Sequence, residues 1–325
     1  MTSGVVKFNS KVGFGALGLT WTGAPPPREQ SFETLLTAVN NGVDLIDSGE
    51  FYGIDPIELN LILLQDFFAK YPELRQKVKL CIKGAFNIKT MQPDSSKEAI
   101  SASINNILKY IDFIDIFECA RIDVNVPIEE TISYIKEFID LGKVGGIALS
   151  ESKAETIKRA HKVHPLSAVE LEFSLWAREI IQTDVYKTCY SLGIPILAYS
   201  PLGKGFLTGS LKNLNDIPET DIRKIVHLDR FVDEEAFNNN LKIVHFLEPI
   251  AAAKKISLSQ LALAWIEKFP GIIPIPGTSK PSRVLENLKH VELSDEEFEK
   301  INKFLDSFTV KGLRYNEKLE SFLMN

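Results

Sequence analysis

The chain has 325 residues, 45% hydrophobic and 25% charged, with a net charge of −6. That balance is ordinary for a soluble globular protein, and the acidic excess with no basic, aromatic-interleaved stripe argues against a nucleic-acid partner. The three scattered cysteines, Cys81, Cys119 and Cys189, favour buried free thiols in a reducing compartment over a disulfide framework or a metal site. With no amino-terminal h-region and no apolar run of bilayer length, no membrane association is expected; the expected setting is cytoplasmic, with the nucleus also open.

Strand-like apolar runs alternate with amphipathic helical stretches. The chain reads as a strand at 13–18, a helix at 31–41, a strand at 43–46, a helix at 57–70 and a strand at 78–82. A helix then opens at Asp94 or Ser95, whose side chain can cap it. Strands at 114–117, 145–149 and 168–171 precede helices from Pro127, from Ser152 and over 180–191. Residues 194–198 and 271–275 complete eight strands, and the last helix spans 295–308. Such βα repeats give a parallel sheet, and about eight of them close into a (β/α)8 TIM barrel, expected here as one domain over 1–325 with short additional helices and a carboxy-terminal tail. Gly13, Gly15 and Gly18 superficially resemble a dinucleotide fingerprint, but a proline-rich loop rather than a helix follows Gly18; they read equally as a strand end approached by a ligand or as a simple turn. The polar connection at 202–233 has the length of a lid or binding loop.

In a barrel, residues at the carboxy-terminal strand ends face one pocket. Asp47 ends the second strand, Tyr52 lies in the loop after it, and Lys83 ends the third. A phenol in water loses its proton only near pH ~10; an adjacent ammonium is expected to lower that value, with a carboxylate holding the ammonium in place. Asp47 and Lys83 alone would read as a structural ion pair; Tyr52, in the glycine-flanked turn Gly49-Glu50-Phe51-Tyr52-Gly53, tips the balance toward proton delivery to a carbonyl. The loops after the last two strands are the usual phosphate site of barrel enzymes. There Ser200-Pro201-Leu202-Gly203-Lys204-Gly205 and Pro276-Gly277-Thr278-Ser279-Lys280, with Arg283, suit an anion. Trp21 divides evenly between pocket and core, whereas Trp176 reads as core. His161 and His164 read as helix-terminal surface residues and not as a metal pair.

Asp47-x-x-Glu50-x-Tyr52-Gly53, Lys83, Ala198-Tyr199-Ser200-Pro201-Leu202 and Ile275-Pro276-Gly277 with Arg283, Glu286 and Asn287 together resemble the aldo-keto reductase family, from about Val12 to Leu319. The resemblance implies a barrel enzyme that reduces small-molecule aldehydes with NADPH. It makes Tyr52 the proton donor, Lys83 its tuner and Asp47 the holder of Lys83. Tyr199 would stack on the nicotinamide, with Gly15 and Leu17 lining the cofactor floor and Ser150, Glu151 and Glu170 at the carboxamide. Ser200 and Leu202 would meet the pyrophosphate, Lys280 and Arg283 would hold the 2′-phosphate, and Glu286 and Asn287 would contact adenine, with Gly205, Gly277 and Thr278 also in the cofactor site. Trp21, Phe51, Ala120 and Arg121 would line the substrate site.

Three positions depart from the family pattern: Ala120 replaces a histidine, Glu151 an asparagine and Glu170 a glutamine. Within the family, fungal pyridoxal reductases share the Gly49–Gly53 turn, the Cys119-Ala120-Arg121 strand end and the Gly312-Leu313-Arg314-Tyr315-Asn316 tail, which implies pyridoxal as substrate. A broad aryl-aldehyde reductase is the alternative among enzymes. Barrels of the family also act as cofactor-binding regulatory subunits, such as potassium-channel β-subunits; intact Asp47, Tyr52 and Lys83 favour catalysis.

Overall fold

The computed structural model describes residues 5–316 and 320–323; Leu319, where the family resemblance ends, lies outside them. Eight parallel strands follow one another around one sheet: β1 Phe14–Gly15, β2 Leu45–Gly49, β3 Lys79–Gly84, β4 Ile116–Cys119, β5 Ile147–Ser150, β6 Ala168–Glu172, β7 Ile196–Tyr199 and β8 Ile272–Pro274. Each pairs with the next. The Gly13 N–H donates to Pro274 O at 2.9 Å and joins β1 to β8. The result is the expected (β/α)8 barrel. Its outer ring includes α1 Arg28–Asn40, α2 Leu59–Lys70, α3 Lys97–Ile107, α4 Ile128–Asp140, α5 Ala154–Val163, α6 Asp184–Leu192, α7 Glu234–Lys254, α8 Leu258–Glu267, α9 Pro281–Leu288 and α10 Asp295–Ser307.

The period of two along a strand sets what lies inside the ring. Leu45, Cys81, Ile116, Ala148, Ala168, Leu197 and Ile275 form an interior apolar cluster, with Val6 and Phe8 packed against it. Their neighbours Ile46, Leu80, Phe117, Ile147, Val169 and Ile196 belong to the larger core under the helices. Two residues beyond each interior position, towards the strand ends, stand Asp47, Lys83, Glu118, Ser150, Glu170, Tyr199 and Gly277. Strand alternation therefore carries an apolar layer directly into a polar one, which is the floor of the site.

The structure corrects several local readings. Helix α3 is capped by neither Asp94 nor Ser95: Ser96 accepts from the Ala99 N–H at 3.2 Å. Asp94 instead accepts from the Ser96 N–H and hydroxyl, while the Ser95 N–H is taken by Asp123. The stretch at 180–191 breaks at Thr183 into Glu179–Gln182 and α6. Residues 202–233 are not a bare loop; they form short helices at Gly203–Thr208, Leu214–Asp216, Ile222–Ile225 and Asp229–Val232, because Phe206, Leu207, Ile217 and Phe231 are buried under them. Helices α7 and α8, between the seventh and eighth strands, were not anticipated. His164 is buried rather than on the surface, with Nδ1 2.9 Å from Pro165 O, and His161 Nδ1 accepts from the Leu166 N–H.

Candidate active site

Strand β2 delivers Asp47, and the turn after it folds Tyr52 back over Gly49. A Cβ at Gly49 would lie 2.7 Å from the Tyr52 ring, so only glycine permits this packing. Thr20 donates to Tyr52 O at 2.5 Å, and Trp21 stacks on the phenol ring with centroids 5.7 Å apart. Phe51 meets the same ring edge-on. Beneath it, the Lys83 ammonium lies 5.7 Å from the Tyr52 ring centroid and donates to Asp47 at 2.5 Å and Glu170 at 2.6 Å. Glu118 faces the ammonium at 3.6 Å, and its other oxygen accepts from the Cys81 thiol at 3.1 Å. Asp47, Cys81 and Glu118 each bring a potential ligand atom within 4.8 Å of the others, but the Lys83 ammonium already supplies the positive charge at this point.

Four ionisable side chains thus share one dry layer. Burial opposes the charge on Lys83, but the three surrounding carboxyls outweigh it and hold the ammonium well above its ordinary value. Burial, then the charge of Glu170, pushes Asp47 well up; burial also raises Glu118. Burial and Glu118 lift Glu170 to about 7. With one ammonium among three carboxyls, the layer retains a carboxyl proton near neutrality. Tyr52 departs from expectation: burial raises its phenol well above the ordinary value, and Lys83 only partly offsets this. The Tyr52 phenol is therefore held protonated throughout the physiological range.

A pH effect follows from Glu170. Its folded-state value of about 7 lies above the unfolded 4.5. Its contribution to stability is therefore complete below about pH 4.5 and is lost as pH rises through 7. A buried carboxyl shifted this far is expected to weaken folding by roughly 3 kcal/mol between pH 4.5 and 8. Urea unfolding at pH 5 and pH 8 measures this, and Glu170→Gln is expected to flatten the dependence; a wild-type slope no steeper than the variant's would contradict the assignment.

The other side of the mouth is built by β4 to β7 and the tail. Ala120 is buried, and next to it the half-buried Arg121 donates to Ala120 O at 2.5 Å and Ser150 Oγ at 3.2 Å. Glu151, fully buried with a left-handed φ of 49°, accepts from Tyr199 OH at 2.9 Å and the Glu172 N–H at 3.0 Å. Arg314 reaches in from the tail and donates to Glu151 at 3.1 and 3.4 Å. Tyr315 OH donates to Tyr199 OH at 3.3 Å, and Lys204, paired with Glu172 at 2.8 Å, lies over the Tyr315 ring. Trp176 is core as expected, stacked on Phe206.

The loops after β7 and β8 flank this cluster. Ser200, Gly203, Lys204 and Gly205 all have left-handed φ, costly only at Ser200 and Lys204, in a run of turns of the kind that aims backbone amides into a concavity. Leu202 is half-buried within it. A Cβ on Gly15 would lie 2.8 Å from Ile275 O, and one on Gly277 2.7 Å from Gly15 O, so two bare backbones meet at the β1–β8 seam. Leu17 is 37% exposed just beyond. Thr278 accepts from the Lys280 N–H, and it shares one narrow cleft with buried Asn287. Lys280 and Arg283 are exposed and, among the described residues, form no ion pair; Glu286 is half-buried on α9. The expected residues thus fall into a strand-end cluster around Lys83 and a rim along β7, β8 and α9. Glu118 and Glu172 were not among the expected members, and Lys204, Arg314 and Tyr315 stood only within the Ser200–Gly205 loop and the Gly312–Asn316 tail, with no place of their own in the cluster. A charged residue inside the apolar run Ile116-Phe117-Glu118-Cys119 was the available signal for the first; the tail motif marks Arg314, but nothing local announces its partner Glu151.

A closed parallel barrel with a buried phenol over a buried ammonium at its carboxy-terminal face has the architecture of the barrel enzymes, whose sites lie at the strand ends. Comparison with known proteins makes this specific: residues 11–306 match the aldo/keto reductase family, and the chain belongs to that family of nicotinamide-dependent oxidoreductases. It is 39% identical over 321 residues to "Probable pyridoxal reductase 2" of Schizosaccharomyces pombe, covering 96% of each chain. It is 40% identical to a Saccharomyces cerevisiae protein provisionally named a pyridoxal reductase, covering 93% of this chain and 95% of that one. Among solved structures, glycerol dehydrogenase from Gluconobacter oxydans superposes with a TM-score of 0.81 at 21% identity, covering 96% of this chain and 98% of that one, a likeness of fold. Among the described residues no helix is long and apolar enough to cross a membrane.

Proposed function

We propose that this protein reduces pyridoxal to pyridoxine with NADPH; pyridoxal, NADPH and one proton give pyridoxine and NADP+. The observation that carries the reading is Tyr52, kept protonated by burial and placed over a Lys83 ammonium that three carboxyls hold. The two named relatives support the substrate. When bound, the reduced nicotinamide supplies the hydride. The chain's own residues do the rest. Tyr52 gives its proton to the carbonyl oxygen, and Lys83 stabilises the phenolate left behind. Asp47 and Glu170 keep that ammonium aimed. Trp21, Phe51 and the small Ala120 leave room for a substituted ring.

The residues suit the cofactor. The bare backbones of Gly15 and Gly277 allow close approach, and the loop through Ser200, Leu202 and Gly205, with left-handed turns at Ser200, Gly203, Lys204 and Gly205, suits a pyrophosphate. Lys280 and Arg283 offer unpaired charge to a 2′-phosphate, with Thr278, Glu286 and Asn287 beside them. Tyr199, Ser150, Glu151 and Glu170 would surround the nicotinamide. Glu170 would do so while bound to Lys83, and Glu151 while bound to Arg314.

Ala120 cannot hydrogen-bond a carbonyl as the family's histidine does. Pyridoxal carries a ring hydroxyl ortho to its aldehyde, which can donate internally to the carbonyl oxygen. Absorbance at 340 nm tests both points: NADPH oxidation is expected with pyridoxal and is expected to fall at least tenfold with the analogue lacking the ring hydroxyl. Equal efficiency for the two aldehydes would remove the substrate argument, and no oxidation with any aldehyde would remove the enzymatic one.

A further inference from the structure

Arg121 is a charged group without a counter-ion. Its guanidinium lies half-buried at the end of β4, and its hydrogen bonds go to two neutral acceptors, Ala120 O and Ser150 Oγ, both through Nη1. Among the described residues no carboxylate lies within ion-pair distance of it. Glu151 is near enough to act on it electrostatically, but its oxygens are already taken by Arg314, Tyr199 and the Glu172 N–H. The other groups that act most strongly on Arg121 are the phenols Tyr199, Tyr315 and Tyr52, and those of Tyr52 and Tyr199 are held protonated by burial. A guanidinium taken from water without an anion is costly, and a planar fork with free N–H groups is made to receive an oxygen acceptor.

From this placement, and resting on the reductase reading above, we infer that Arg121 is a specificity-determining residue that binds the oxygen ortho to the aldehyde of an aryl substrate, so that the preferred substrates are ortho-hydroxyaryl aldehydes. Arg121 N–H donates to the ring oxygen, whether that oxygen is a hydroxyl or a phenolate. As a hydroxyl, it simultaneously donates its own hydrogen to the carbonyl. The guanidinium polarises that hydroxyl and so strengthens its internal bond, and the carbonyl is activated through the substrate. The stub of Ala120 beside it leaves the space in which the ring oxygen sits.

Two measurements test this with full-length protein. The first is kcat/KM with NADPH for 2-hydroxybenzaldehyde, 4-hydroxybenzaldehyde and benzaldehyde, in wild type, Arg121→Met and Arg121→Lys. A lost charge-assisted hydrogen bond is expected to lower the 2-hydroxy value about 10- to 100-fold in Arg121→Met. The other two aldehydes should change less than threefold, and Arg121→Lys should recover part of the loss. The second is calorimetric binding of pyridoxine, and of its analogue lacking the ring hydroxyl, to NADP+-saturated protein. Arg121→Met is expected to weaken pyridoxine at least tenfold and the analogue less than twofold. Selective weakening of pyridoxine in a protein that reduces no aldehyde would uphold this inference while ending the reductase reading. Equal losses for ligands with and without the ortho oxygen, in either assay, overturn it. Thermal unfolding identifies a misfolded Arg121→Met, in which case Arg121→Lys decides by the same ratios.

Discussion

Tyr52→Phe is expected to lower kcat for pyridoxal by roughly 10²–10⁴-fold, the range of a positioned general acid, with little change in NADPH affinity or stability. The reason lies in how little else the hydroxyl does. The ring, not the oxygen, stacks on Trp21 and packs over Gly49, and phenylalanine keeps both contacts. The backbone oxygen, not the side chain, accepts from Thr20. Because burial raises the phenol's pKa, activity is not expected to depend on a Tyr52 ionisation between pH 6 and 8. Single-turnover NADPH oxidation and cofactor titration separate the two effects. A variant within threefold of wild type would sink the assignment of Tyr52 as proton donor.

Arg314→Ala is expected to cost roughly 3–5 kcal/mol of stability, as when one partner of a buried ion pair is deleted. Arg314 is 7% exposed and Glu151 fully buried. After the substitution Glu151 keeps the Tyr199 hydroxyl and the Glu172 N–H but loses its ion-pair partner, and Glu172, 3.9 Å from Arg314, keeps Lys204 as its one ion-pair partner among the described residues, with Arg230 farther off. The same change is expected to alter nicotinamide binding, since Tyr199 bonds to both Glu151 and Tyr315. Denaturant unfolding and cofactor titration on one preparation read both effects. A loss under 1 kcal/mol with unchanged cofactor affinity would show that the tail does not brace the mouth.

The barrel and the Asp47–Lys83 pair were readable because both are properties of strands. A period of two puts polar residues at strand ends into one layer, and each strand carries its own register. The same rule implied Glu118, two residues beyond the inward-facing Ile116. The ion-pair network of the tail was not readable, because Arg314 meets Glu151 only through the closed tertiary structure. The direction of the Tyr52 shift was missed for a related reason: proximity to a lysine can be guessed from a loop, whereas the loss of water around a phenol depends on Trp21, Phe51 and Gly49 packing together. The cap of α3 falls at Ser96 because the Asp94 N–H is held by Ala85 O and the Ser95 N–H by Asp123, two long-range bonds that no local pattern shows.

The seam where the Gly13 N–H meets Pro274 O joins the first strand of the ring to the last, segments far apart in sequence. The ring therefore cannot shut until the segment of β8 has been made, and until then β1 has an unsatisfied edge open to wrong partners. Gly15 and Gly277 lie on that same seam, so a dinucleotide lodged against them would act as a late-arriving clamp, and cells short of it would be expected to accumulate less of the finished protein.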